Sequence, residues 1–281
     1  MVEDALASLI PGDRGEPGAG RVMLVAAHPD DEWLGAGSLL PILPDLWIVQ
    51  VTDGAPRDMR DARALGFHTR EEYAHARRRE ALSALRAFGI RTARRIELGV
   101  VDQEAALDPG GLARTLSGLM KRLHPTIVLT HSFEGGHPDH DALAFAVSAA
   151  AKRVRRIRGT PPAILEMAGY HADPHGEFVT GVFLAPNLAA RAPAAERVRV
   201  LSRRERERKA HALRFFATQQ RTVDLFSVAE ERFRIAPHYD FLEAPHPGTL
   251  LYERLGLGMS WPQFRFRIED ARARLPAERA P

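Results

Sequence analysis

The feature that most constrains this chain is a recurring unit: a short, uninterrupted apolar run that stops at a polar cluster and is followed by enough residues for a helix. Val22–Ala27 is the first such run, Leu46–Thr52 the second and Thr126–Thr130 the third. Continuous rather than alternating apolar character is what a strand buried on both faces requires, and that burial is typical of parallel sheets. Between them, helices are expected over Gly35–Leu43, Arg70–Phe88 (stopped by Gly89), Gly110–Leu123 and Ala142–Arg153, with a short strand at Arg95–Leu98. Alternation of this kind predicts an α/β fold with a mostly parallel sheet and helices on both faces.

The later half is less regular. Ala163–Met167 and Val179–Leu184 read as strands, Pro186–Pro193 as a loop and Leu201–Gln220 as a charged helix burying Ala212, Leu213 and Phe216. The tail from Pro237, with Pro245, Pro247 and Pro262, is expected to wrap the surface with little regular structure.

Composition excludes several chemistries. The chain has 281 residues and no cysteine, so a thiolate metal site, an iron–sulfur cluster, a disulfide framework and a Cys nucleophile are all out. Any metal must be held by His, Asp and Glu. The first 20 residues lack the basic start and apolar core of a signal peptide, and no apolar run approaches the ~20 residues that span a bilayer, so a cytoplasmic protein without membrane insertion is expected. Three lysines leave 36 arginines in a net charge of +3. The clusters Arg77–Arg79, Arg153–Arg158 and Arg203–Arg208 have no aromatic interleaving or recognised nucleic-acid module around them, and read as solvated helix faces rather than a nucleic-acid surface. There is no G-x-S-x-G elbow, Walker A loop or dinucleotide glycine fingerprint.

Two polar clusters follow two of the apolar runs, where ligands bind in open α/β sheets. The first is His28-Pro29-Asp30-Asp31-Glu32. Imidazole and carboxylate suit a divalent cation, so His28 and Asp31 can face one ion while Asp30 stays free as a base beside it. The second is Gly135-Gly136-His137-Pro138-Asp139-His140. One of its histidines can complete the metal site; the other can act as acid or oxyanion stabiliser, with Asp139 fixing a tautomer. Either cluster alone could be a helix cap or a solvated pair; two after apolar strands point jointly to a metal site. His131 at the end of the third run either lines the pocket or is structural, and His171 and His175 in Tyr170-His171-Ala172-Asp173-Pro174-His175 are a candidate substrate rim.

These motifs resemble the PIG-L, or LmbE-like, family of zinc-dependent N-acetylglucosaminyl de-N-acetylases. Weaker echoes extend the likeness over roughly residues 21–220: Thr52-Asp53-Gly54, Arg77-x-x-Glu80, Leu98-Gly99-x-x-Asp102, Lys209-x-x-Ala212-Leu213 and Thr218-Gln219. The resemblance implies a Rossmann-like domain, with a lead-in over residues 1–20, a metal-bearing core over 21–160 and a substrate-shaping extension over 161–281. It further implies one Zn2+, for which another divalent metal could substitute, held by His28, Asp31 and His140. Asp30 would be the general base, His137 the oxyanion stabiliser or acid, and Asp139 the residue orienting a histidine. Arg77, Asp102 and His171 are the candidate substrate contacts. The implied reaction is hydrolysis of an N-acetyl group on a small amino-sugar conjugate. Hydrolysis of another amide or ester, or a binding protein on the same fold, are the alternatives. Whether the chain forms a homo-oligomer is not readable.

Overall fold

A computed structural model describes residues 2–10, 18, 20–173, 175–192 and 194–275. Much of the 1–20 lead-in, Pro174, Pro193 and the last six residues of the extension lie outside them. Within the lead-in, Val2–Leu9 is a helix, α1, which the sequence reading did not anticipate.

Five strands pair in parallel. They are β1 (Val22–Ala26), β2 (Leu46–Pro56), β3 (Arg95–Asp102), β4 (Ile127–His131) and β5 (Ala163–Met167). Two antiparallel strands, β9 (Glu230–Ile235) and β8 (Glu196–Val200), extend the sheet beyond β5, giving the order β3-β2-β1-β4-β5-β9-β8. A separate hairpin joins β6 (Tyr170–Ala172) to β7 (Phe178–Thr180). The strand expected over Val179–Leu184 is thus three residues long and lies in this hairpin, outside the main sheet.

Strand alternation divides the core into two layers. Met23 and Val25 of β1 join Val49, Val51 and Val128 against α5 (Pro109–Leu123), α6 (Pro138–Arg158) and α10 (Trp261–Arg274). Val22, Leu24 and Ala26 face the other way, with Ile48, Leu129 and Leu165, onto α1, α2 (Asp31–Ala36), α4 (Arg70–Ala87) and α7 (Arg203–Leu213). Three short helices, α3 (Arg60–Ala64), α8 (Gln220–Val223) and α9 (Leu251–Arg254), complete the α-helices among the described residues.

Several boundaries differ from expectation. The first crossover helix is α2 at Asp31–Ala36, earlier and shorter than Gly35–Leu43. Strand β2 runs through Asp53-Gly54 to Pro56, with register shifts against β3 after Gln50. The charged helix at 201–220 breaks after Leu213 into turns before α8, although Ala212, Leu213 and Phe216 are buried as expected. The tail contains α9 and the 14-residue α10: Pro262 occupies the first turn of α10, where its missing N–H costs nothing, instead of breaking structure.

Chain order places β2 on one side of β1 and β4 on the other, so the direction of winding reverses between β1 and β4. A crevice opens at the carboxyl ends of strands at such a switch point. His28 and His131 lie there.

Candidate metal centre

Three strand ends are tied together beneath the site. Ala27 N donates to His131 Nε2 at 3.0 Å, while Ala27 O accepts from Thr52 N at 2.8 Å and Thr52 Oγ1 at 2.9 Å. The chain then turns sharply into α2. Asp30 takes φ 153° and ψ −31°, a conformation that costs a non-glycine residue on the order of 1–3 kcal/mol and is held only where its surroundings require it. His28 N donates to Asp31 Oδ2 at 2.7 Å, closing the turn.

The second motif is built as a helix start. His137 caps α6, its Nδ1 accepting from Asp139 N at 3.2 Å, and Pro138 sits in the first turn. Asp141 Oδ1 accepts from both Glu134 N and Gly135 N at 3.1 Å, fixing the loop ahead of the cap. Gly136 is required by contact: a Cβ there would stand 1.9 Å from Tyr170 O.

These two starts bring His28 Nδ1, Asp31 Oδ2 and His140 Nε2 into one triangle. The separations are 3.2 Å for the two histidines, 3.2 Å for His28 to Asp31 and 3.4 Å for His140 to Asp31. Ligands on a tetrahedral Zn2+ with bonds of 2.0–2.2 Å stand about 3.3–3.5 Å apart. The spacing of the triangle is compatible with ligands around one such ion. His28 Nε2 is hydrogen-bonded to Asp139 Oδ2 at 3.3 Å and lies 3.0 Å from Asp102 Oδ1, so the proton belongs on Nε2 and the Nδ1 lone pair faces the triangle. These three buried atoms call for a positive charge among them, which a proton on His28 Nδ1 supplies in the free protein and which a divalent cation bound by all three would replace. Overlapping groups share the pocket: His28, His137 and His140; Asp31, His131 and His140; and His28, Asp102, His137 and Asp139.

Electrostatics follow from burial and these neighbours. Burial disfavours charge on His28, but Asp102 and Asp31 outweigh it and raise its pKa well above 6.5. For Asp31, burial is overcome by His140, His131 and His28, which hold the carboxyl well below its usual range. Burial, then His28, lowers His137 to about 3; burial, then His131, does the same to His140. Asp30 is pushed up to about 8 by burial, against the pull of Arg77.

Asp139 is fixed by Gln103 N at 2.7 Å and Ala105 N at 2.9 Å, so the loop after β3 holds the carboxylate that orients His28. Asp102 lies in the same buried set and lines the cavity. Arg77 is buried rather than on the helix surface, and its guanidinium reaches Asp30 Oδ2 at 2.9 Å, Gly54 O at 2.7 Å and Pro29 O at 3.2 Å. His171 is buried with Nδ1 3.5 Å from Glu134 Oε2, and its neighbour Tyr170 forms the cavity wall instead. His131 stacks on His140, ring centroids 3.8 Å apart, and supports that ring.

The weaker echoes converge as well. Glu80 accepts from Thr218 N at 3.0 Å and Thr218 Oγ1 at 2.6 Å, and Gln219 Nε2 donates to Tyr73 OH at 2.5 Å. Gln219, Tyr73 and Tyr170 were not singled out as site residues from sequence, yet all line the cavity above the triangle, which holds about 570 Å³.

Residues 23–151 match the family model of the GlcNAc-PI de-N-acetylases, PIG-L. Over this segment the chain is similar to the PIG-L family. Every residue of the triangle, with Asp30, His137 and Asp139, falls inside the matched segment, whereas the hairpin and helices that wall the cavity from residue 170 onward fall outside it. The probable N-acetyl-alpha-D-glucosaminyl L-malate deacetylase 2 of Bacillus cereus is 33% identical over 138 residues, which are 47% of this chain. The match spans 61% of that relative's length. Among solved structures, the zinc inhibited form of teicoplanin deacetylase Orf2 aligns with 79% of this chain and 100% of its own at TM-score 0.54 and 15% identity. GalB, the 4-carboxy-2-hydroxymuconate hydratase of Pseudomonas putida KT2440, aligns over 76% of this chain and 95% of its own at TM-score 0.51 and 16% identity. At such identities the two structures show a shared fold, and a fold does not fix a reaction. Among the described residues, no helix is long and apolar enough to cross a membrane.

Proposed function

We propose that the chain is a divalent-metal-dependent N-deacetylase that removes the acetyl group from an amino-sugar conjugate of the N-acetylglucosamine type. The observation that carries the reading is the triangle of His28 Nδ1, Asp31 Oδ2 and His140 Nε2, 3.2–3.4 Å on a side, beside a cavity whose wall includes Asp30 and His137. The relative from Bacillus cereus, named for deacetylating a glucosaminyl malate, supports the substrate class. Zinc fits the nitrogen and oxygen donors of the triangle.

A bound divalent ion would supply Lewis acidity, polarising the amide carbonyl and lowering the pKa of the attacking water. The chain's own residues do the rest. Asp30 Oδ2 is held by Arg77, so Oδ1 is the atom that takes the water's proton and returns it to the leaving amine nitrogen. His137 accepts at Nδ1 from the α6 backbone, which puts its proton on Nε2, 3.8 Å from Asp102 Oδ1 and facing the cavity. Burial keeps that ring neutral. A neutral Nε2–H donates a hydrogen bond to the developing oxyanion without surrendering its proton, which favours the oxyanion role over the acid role. Asp139 and Asp102 hold His28 in the tautomer that points Nδ1 into the triangle.

The test is acetate release from N-acetylglucosamine conjugates by zinc-loaded and chelator-stripped protein. Release is expected only from the loaded form. His28→Ala and His140→Ala are expected to lose the metal, while Asp30→Asn keeps it and loses on the order of 10²–10⁴-fold in kcat. Full turnover by Asp30→Asn, or by stripped protein, overturns the assignment.

A further inference from the structure

The wall of the cavity away from the triangle is unusual in its chemistry. Phe178, Leu225 and Leu255 are exposed large apolar residues, at 41%, 54% and 47%, and all three line this cavity, together with Leu251, Leu257 and Tyr170. They come from three separate segments that are nonetheless fastened to the site. Thr180 Oγ1 donates to Leu225 O at 2.9 Å, tying the hairpin to the Leu225 loop, and Leu251 N donates to Gly135 O at 3.0 Å, tying α9 to the loop that presents His137.

Charge is sparse on this part of the wall. Of the charged side chains that line the cavity among the described residues, Asp30, Asp31, Asp102 and Arg77 belong to the triangle and its surroundings, which leaves Asp61 and Arg254. Arg77 is committed to Asp30, Gly54 O and Pro29 O; Arg254 Nη1 donates to Gly176 O. An anionic group laid on Phe178, Leu225 and Leu255 would give up its hydration to apolar neighbours, with Asp61 opposing the one nearby cation, Arg254. An apolar one would cover surface that now faces water.

We infer that the amino sugar deacetylated here carries an uncharged, apolar aglycone that lies on Phe178, Leu225 and Leu255. The inference rests on the deacetylase reading above and separates this chain from its relative named for a malate conjugate, whose aglycone is an acid. Recognition then comes from apolar area buried at the mouth, where each methylene taken out of water is worth about fourfold in affinity.

Three matched substrates test it: the methyl, hexyl and 5-carboxypentyl glycosides of N-acetylglucosamine, assayed for acetate release with zinc-loaded full-length protein. The hexyl glycoside is expected to exceed the methyl glycoside by at least about tenfold in kcat/KM, since burying two of its five added methylenes already gives that ratio. The carboxypentyl glycoside is expected to fall to the methyl value or below. In Leu225→Gln/Leu255→Gln, surface changes that leave the buried core intact, the hexyl-to-methyl ratio should shrink severalfold through KM. Equal rates on all three substrates, or preference for the carboxylate, overturn the inference while leaving the deacetylase standing. Absence of acetate release from all three by protein that demonstrably binds zinc overturns the deacetylase reading and this inference with it.

Discussion

Arg77 Nη2 lies 2.9 Å from Asp30 Oδ2, and both side chains are buried although 47 residues separate them. The same guanidinium caps Gly54 O and Pro29 O, so one side chain of α4 fastens the ends of the β1 and β2 turns. A Cβ at Gly54 would stand 2.5 Å from this guanidinium, and its φ of +68° is one that glycine adopts without strain. Arg77 therefore acts on the carboxylate proposed as base.

Arg77→Met is expected to lower kcat by on the order of 10²-fold with little change in KM and no loss of bound zinc, because Asp30 loses its counter-charge and its orientation together while the triangle is untouched. Arg77→Lys should recover only part of the loss, since an ammonium cannot span Asp30, Gly54 O and Pro29 O as the guanidinium fork does. Loss of zinc in Arg77→Met, measured by metal content, would make Arg77 a scaffold residue instead.

What the sequence revealed and what it hid follow from the same physics. β1 and β4 are buried on both faces, so their residues form continuous apolar runs, and the motif residues follow directly at their carboxyl ends. β8 and β9 escaped because Glu196-Arg-Val-Arg-Val200 and Glu230-Glu-Arg-Phe-Arg-Ile235 carry charges that pair across the edge, as Arg232 with Glu196 at 2.7 Å, and give no apolar run. α10 was hidden by reading Pro262 as a breaker, although Phe264, Ile268 and Ala271 recur at helical spacing and are buried. The roles of Arg77 and Glu80 are long-range, and a helix that alternates them among surface charges shows neither.

A second buried network carries a pH signature. Arg234 Nε donates to Glu166 Oε2 at 2.7 Å and its Nη2 to Glu134 Oε1 at 3.0 Å, so one guanidinium serves two carboxylates; Tyr239 OH donates to Glu166 at 3.0 Å and His171 stands 3.5 Å from Glu134. Burial pushes Glu166 up to about 7, with Arg234 opposing and Glu134 adding to the rise. The folded protein then holds a proton that the unfolded chain releases near pH 4.5, so this group's contribution to stability is full below that pH and is lost as pH rises towards 7. Urea unfolding at pH 5, 6 and 7.5 should show the wild type losing stability relative to Glu166→Gln across the series. A constant difference would mean that Glu166 is ionised throughout.

Lys209 is the residue whose family echo proves to be structural. It is buried, and its Nζ donates to Leu34 O at 2.7 Å and Glu231 Oε1 at 2.8 Å, while Glu231 also accepts from Ser38 N at 2.9 Å. The pair joins α7 and β9 to the end of α2, whose first residue is Asp31. Removing the cation alone leaves a buried carboxylate with only neutral donors, so Lys209→Met is expected to cost about 3–5 kcal/mol in urea unfolding. Lys209→Met/Glu231→Leu removes both charges and should cost less than the sum of the two single changes, by a coupling of at least about 1 kcal/mol. Zinc content of the folded single variant at low temperature should match the wild type, because the triangle is closed by its own backbone contacts, His28 N to Asp31 among them. Additive costs would show that the two side chains are stabilised independently, and loss of zinc would show that the position of α2 is set by this pair.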